Sequence, residues 1–82
     1  MKMKFKVGDK VKLKDGLIEG RYMDDKGYKI CILWNKMIEE YKGKILTIED
    51  VNYFLCRYKI QEDNGEWYWV CGMFDLVETA NN

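Results

Sequence analysis

Apolar and polar residues alternate along this chain in short runs, broken by turn-forming pairs. Phe5, Val7, Val11 and Leu13 are interleaved with lysines, the period-two pattern of a half-buried strand. Gly8-Asp9 interrupts the run. The pattern therefore predicts a strand over residues 10–14, with Phe5 and Val7 leading in and Asp15-Gly16 closing it as a turn. A looser stretch from Leu17 reaches Tyr22 and Met23, and Asp24-Asp25-Lys26-Gly27 follows. That tetrad suits a tight turn, because aspartate stabilises the start and glycine supplies positive φ at the end. Tyr28, Ile30, Ile32 and Trp34 then alternate with Lys29, Cys31 and Leu33. The expectation is a hairpin pairing residues 17–23 with 28–33.

Residues 35–42 carry the one helical pattern. Asn35 suits the N-cap, Met37, Ile38 and Tyr41 fall on one face, and Gly43 suits the C-terminal stop. Two turns do not hold alone in water, so this helix must pack on the β-structure. Residues 44–51, rich in β-branched types, predict a strand. Residues 53–60 predict another, with Phe54, Cys56, Tyr58 and Ile60 on one face and Tyr53, Leu55, Arg57 and Lys59 on the other. Asp63-Asn64-Gly65 reads as a tight hairpin turn and residues 66–70 as its return strand. A single turn at 72–74 and a closing strand at 75–78 complete the pattern, with a frayed tail from Thr79. Five or more short strands punctuated by turns predict an all-β fold with one short helix, a small sandwich or barrel.

Composition narrows the class. The 82 residues suit one domain, 1–82, with an ordered core at about 5–78. Hydrophobic residues make up 48% and aromatics 15%, while acids and bases balance at 14 each. Disordered chains have the opposite bias, and a dedicated nucleic-acid binder carries a basic excess that is missing here. The charge is segregated, however. Lys2, Lys4, Lys6, Lys10, Lys12 and Lys14 against Asp9 give the first 14 residues a net of +5, and residues 60–82 carry −5. The two ends of the chain are expected to lie side by side.

Three segments carry a family resemblance. They are Phe5-Lys6-Val7-Gly8-Asp9-Lys10-Val11-Lys12-Leu13; Met37 with Tyr41-Lys42-Gly43-Lys44, Thr47-Ile48 and Val51; and Tyr58-Lys59-Ile60 with Gly65-Glu66-Trp67-Tyr68-Trp69, Met73-Phe74 and Val77. In order and spacing they resemble small SH3-like barrel proteins of phages and mobile elements of Gram-positive bacteria, over roughly residues 5–78. The resemblance implies a small SH3-like antiparallel β-barrel with a one-turn helix before the last strand, which Gly72-Met73-Phe74 suits. Residues 17–34 depart from the pattern, being longer and more regular than the loop it implies, and are where function is expected to differ. A phage origin further implies a host enzyme as partner and inhibition as the effect, as in an anti-CRISPR-like protein.

The residues themselves argue against catalysis. The chain has no histidine and no serine, which removes the commonest general base and the commonest hydroxyl nucleophile. The carboxylate pairs Asp24-Asp25, Glu39-Glu40, Glu49-Asp50 and Glu62-Asp63 fall beside turns or on the helix, where solvated charge is expected. No glycine-rich phosphate loop is present. Cys31, Cys56 and Cys71 are odd in number and have no close pair. They read as free, small buried hydrophobes in a reducing compartment. No signal peptide or membrane span is apparent. The expectation is a soluble, cytoplasmic, non-enzymatic protein without cofactor or metal, working in the host cytoplasm if phage-encoded.

The aromatic cluster is the main functional signal. Trp67, Tyr68 and Trp69 are consecutive, and on a strand Trp67 and Trp69 share one face. Trp and Tyr anchor protein interfaces. The expected contact site is an aromatic surface of Trp67 and Trp69 with Tyr22 and Tyr28 from the variable hairpin, and the expected partner is a protein. The alternative is a nucleic-acid-binding accessory module, with Lys10, Lys12 and Lys14 tracking phosphates and the Trp67/Trp69 face stacking bases. Against both stands a plainer account, in which the two tryptophans are core and the lysines a solvated strand face that discourages edge pairing. An exposed edge or aromatic patch would equally serve a homodimer.

Overall fold

The interleaved lysines of the opening run leave Val11 and Leu13 on one face of β1 (Lys10–Leu13), and both are buried. The computed structural model describes residues 2–81. After β1 come β2 (Gly20–Met23), β3 (Lys29–Leu33), α1 (Asn35–Tyr41), β4 (Leu46–Asn52), β5 (Arg57–Ile60) and β6 (Phe74–Glu78). Short 3-10 turns at Gln61–Asp63 and Cys71–Met73 lie between the last two strands. The protein is mostly β, and every strand pair is antiparallel.

One sheet runs β5-β4-β1-β6, and β2-β3 form a separate ribbon. β1 lies inside the larger sheet, with Val11 opposite Leu46 on one side and Leu76 on the other. The expected neighbourhood of the two ends is therefore real: Lys10 faces Glu78 and Lys12 faces Asp75. The idea that the lysines guard an edge is corrected, because β1 is hydrogen-bonded on both sides.

One hydrophobic cluster, drawn from Met3 through Phe74, fills the space between the sheet, the ribbon and the helix. α1 contributes Met37 and Tyr41, both buried, and Gly43 at φ 75° ends it. Its N-cap is Trp34 rather than Asn35, with the Trp34 N–H donating to Met37 Sδ at 3.3 Å. The Cα radius of gyration is 11.5 Å, against about 12 Å for a compact chain of this length.

Buried Asp9 and Asp24 and half-buried Asp25 hold the turns and the chain start. Asp24 Oδ1 accepts from Lys26 N at 2.9 Å and Tyr28 N at 3.0 Å, closing the β2–β3 hairpin. Asp9 accepts from Lys6 N at 2.9 Å and from Ala80 N at 2.8 Å. Asp25 accepts from Lys4 N at 2.7 Å and from the Tyr58 hydroxyl at 3.0 Å. Apart from the Tyr58 hydroxyl, each donor is a backbone N–H that the sheet does not satisfy, and the carboxylate replaces water for it.

Two strand expectations are corrected. Residues 53–56 are the turn of the β4–β5 hairpin, not strand. Asn52 Oδ1 accepts from Leu55 N at 2.9 Å, and Cys56 takes φ 54°. This puts Tyr53, Phe54 and Leu55 in solvent. Residues 66–70 form no continuous strand and touch the sheet through one bridge, Trp69 with Tyr58.

Candidate functional site

The site grows from one carboxylate. Asp63 ends the first 3-10 turn, and Asn64 and Gly65 follow in left-handed conformation at φ 52° and 77°, reversing the chain. Asp63 is buried and accepts three N–H bonds: Gly65 N at 2.9 Å, Trp67 N at 3.1 Å and Trp69 Nε1 at 2.9 Å. The carboxylate thereby dictates where both tryptophans go.

Trp69 goes into the core, so its place in a contact surface is corrected. It is 0% exposed, stacked on Phe74 at 5.5 Å and edge-on to Tyr41 at 5.6 Å. Its backbone exchanges bonds of 2.8 and 3.1 Å with Tyr58. Tyr41 and Tyr58 are sealed beneath it; burial pushes the Tyr41 phenol up to about 12 and raises that of Tyr58 as well. An indole with its N–H satisfied by a buried carboxylate has nothing left to offer a partner.

Trp67 is half-buried at the rim of the core and opens onto a cleft of about 520 Å³ lined by Glu19, Trp34, Asn35, Lys36 and Trp67. Trp34 supplies the second indole and is 44% exposed. It stands out because it occupies the junction where β3 ends and α1 begins. The Asn35 N–H donates to Glu19 Oε2 at 3.1 Å, which ties the segment before β2 to the helix start. Lys36 Nζ lies 4.9 Å from the Trp67 ring centroid, within cation–π range. The cleft is thus two indoles with one acid and one base at the margin.

The four expected anchors do not converge. Tyr22 is half-buried on β2, and its hydroxyl is used up locally, donating to Ile18 O at 2.7 Å and accepting from Ile18 N at 3.1 Å. Tyr28 is 63% exposed beside the β2–β3 turn. Neither lines the cleft that Trp67 opens on. Tyr68, on the opposite side of its segment from the tryptophans, is overlain by Arg57 at 5.0 Å and Lys59 at 5.3 Å. Sequence reasoning missed Trp34 and Glu19. The available signal was a tryptophan placed directly before a helix start, where a strand side chain leaves the sheet.

Lys10 and Lys12 lie on the face of β1 opposite Val11 and Leu13, and Lys14 directly follows the strand. Lys10 Nζ donates to Thr47 Oγ1 at 2.8 Å, and Glu78 and Asp75 lie across from Lys10 and Lys12. With Trp69 buried, the Trp67/Trp69 stacking face expected to work with the lysine stripe does not form. Cys56 is buried as expected, but Cys31 and Cys71 are half-buried at the margin of the core, which corrects the expectation of three buried thiols. Cys31 Sγ donates to Tyr68 O at 3.4 Å, Cys56 Sγ to Tyr53 O at 3.7 Å and Cys71 Sγ to Met23 O at 3.6 Å. Burial pushes the Cys31 and Cys71 thiols up, which favours the neutral, weakly nucleophilic form. Among the described residues no group of three or more His, Cys, Asp or Glu is placed to hold a metal ion, and no helix is long and apolar enough to cross a membrane. Comparison with protein-family models, curated proteins and solved structures returns no match.

Proposed function

We propose that this chain is a non-enzymatic protein-binding module, with the Trp34–Trp67 cleft as its contact site. The observation that carries the reading is the pairing itself. Two indoles from segments far apart in sequence face one cleft of about 520 Å³, within the size range of built binding sites. Tryptophan, with tyrosine and arginine, is enriched among interface anchors, and Trp34 is left 44% exposed at the cleft. The short antiparallel strands and the 3-10 turn at Cys71–Met73 directly before β6 are consistent with an SH3-like barrel. On the resemblance to phage-encoded barrels, the partner is a host enzyme, the effect its inhibition and the place the host cytoplasm.

The test is capture of a partner from nuclease-treated bacterial lysate, followed by calorimetry with the purified partner. Trp34→Ala should keep its melting temperature within a few degrees and lose at least about 2 kcal/mol of binding, roughly thirtyfold in affinity. Wild-type affinity in both Trp34→Ala and Trp67→Ala would place the contact elsewhere. Capture that disappears on nuclease treatment would favour nucleic acid as the partner.

A further inference from the structure

We infer that the cavity walled by Lys4, Lys14, Arg21 and Lys29 is a binding site for a phosphate ester. The cavity measures about 420 Å³ and is separate from the tryptophan cleft. Its four cations come from the segment before β1, the residue after β1, β2 and β3, so only the fold brings them together. No carboxylate lines it. Among the described residues none of the four is ion-paired with an acid. The nearby Asp25 already accepts from Lys4 N and from the Tyr58 hydroxyl. Asp24 and Asp25 lie near enough to act on the Cys71 thiol, but the four cations outnumber them and leave a local positive excess that an anion relieves.

The floor is built rather than accidental. Gly72 lies so close to β2 that a Cβ there would stand 2.8 Å from the Met23 carbonyl oxygen. The Cys71 thiol donates to that same oxygen at 3.6 Å, and Lys14 N donates to Met73 O at 3.0 Å. The 3-10 turn therefore locks β2, which carries Arg21, against Lys14 at the exit of β1. Arg21 supplies a planar fork that matches two phosphate oxygens, and the lysines supply point charges around it. The volume exceeds one phosphate and leaves room along Tyr22 for the group esterified to it. The same chemistry is presented by a free nucleotide and by the backbone of a single-stranded nucleic acid.

The experiment is a backbone-amide NMR titration of the whole chain with inorganic phosphate, a nucleoside monophosphate and a short oligodeoxythymidine. Shifts should concentrate at Lys14, Arg21, Tyr22 and Gly72. Arg21→Gln and Lys29→Gln, both at exposed positions, should melt like wild type and bind on the order of tenfold more weakly. Lys44→Gln makes the same charge change at an exposed position outside the cavity and should bind as wild type. Saturation by the monophosphate at least as tight as by the oligonucleotide identifies a small phosphorylated ligand. Tighter oligonucleotide binding, with a log–log salt slope approaching about −2.8 for four contacted phosphates, identifies the nucleic-acid backbone. Equal weakening by Lys44→Gln and Arg21→Gln reduces the effect to diffuse surface charge and overturns the site. Cavity amides that stay unmoved by millimolar levels of all three probes overturn it as well.

Discussion

Replacing Asp63 by alanine removes one acceptor from three donors, and the three losses differ in kind. The N–H groups of Gly65 and Trp67 lie in a half-exposed turn, where water can partly replace the carboxylate. The Trp69 indole N–H, 2.9 Å from Asp63, belongs to a side chain with 0% exposure and cannot be reached by water. Leaving that donor unsatisfied costs about 1–3 kcal/mol, and a bond to a charged acceptor contributes about 1.5–3 kcal/mol. Relief from burying the carboxylate offsets part of this. The expected net loss is about 3–4 kcal/mol, a large share of the roughly 5–15 kcal/mol available to a domain. At about 4–8 °C per kcal/mol for a chain of this size, melting should fall by roughly 15–25 °C. Asp63→Asn keeps one oxygen but turns an NH₂ toward a donor, and should lose about half as much. The assay is urea and thermal unfolding by circular dichroism, with the Trp69 indole proton followed by NMR. A double-mutant cycle with Trp69→Phe should show a coupling of about 1–2 kcal/mol. An Asp63→Ala variant that melts within a few degrees of wild type, with an unchanged indole resonance, would refute the reasoning.

Gly72→Ala should lose about 1–3 kcal/mol, because its Cβ meets Met23 backbone at 2.8 Å and backbone cannot swing aside as a side chain does; urea unfolding measures it, and a neutral result would mean the turn and β2 separate freely. Burial raises the Tyr58 phenol above its ordinary value, outweighing the Phe5 N–H bond that favours the phenolate. The unfolded chain therefore loses that proton first. Stability from the neutral phenol is intact below about pH 10 and falls as pH rises beyond it. Urea unfolding between pH 8 and 11 should show a steeper alkaline decline in wild type than in Tyr58→Phe, since lysine titration is common to both; parallel curves would remove Tyr58 as the cause.

Local chemistry was legible where the chain talks to itself. Asp24 and Gly27 announce their turn, the lysine alternation announces β1, and Gly43 announces the helix stop. Opposite charge at the two ends also read correctly, because β1 and β6 are paired. The errors arise where a local pattern has two physical readings. Phe54, Cys56, Tyr58 and Ile60 alternate perfectly, yet Asn52 captures the Leu55 N–H and bends the first half into a turn. Alternation reports which side chains share a side, not whether the backbone stays extended. The tryptophans failed for another reason. Whether Trp67 or Trp69 is buried depends on Asp63, Tyr58, Phe74 and Tyr41, three of which reach Trp69 only through tertiary packing.

The interior position of β1 has a consequence for how the chain is made. Val11 is hydrogen-bonded into register beside Leu46 and Leu76, so its two neighbours are synthesised about 35 and about 65 residues later. At about 5–20 residues per second on the ribosome, β1 waits several seconds for its last partner. Contacts of such sequence separation also slow folding once the chain is complete. Through that interval Phe5, Val7, Val11 and Leu13 form an unpaired apolar run, the kind of segment that seeds aggregation. Lys10, Lys12 and Lys14 lie between and beside those residues. Besides their places in the folded protein, charges so interleaved are the gatekeepers expected to keep such a strand soluble until the sheet that will enclose it exists.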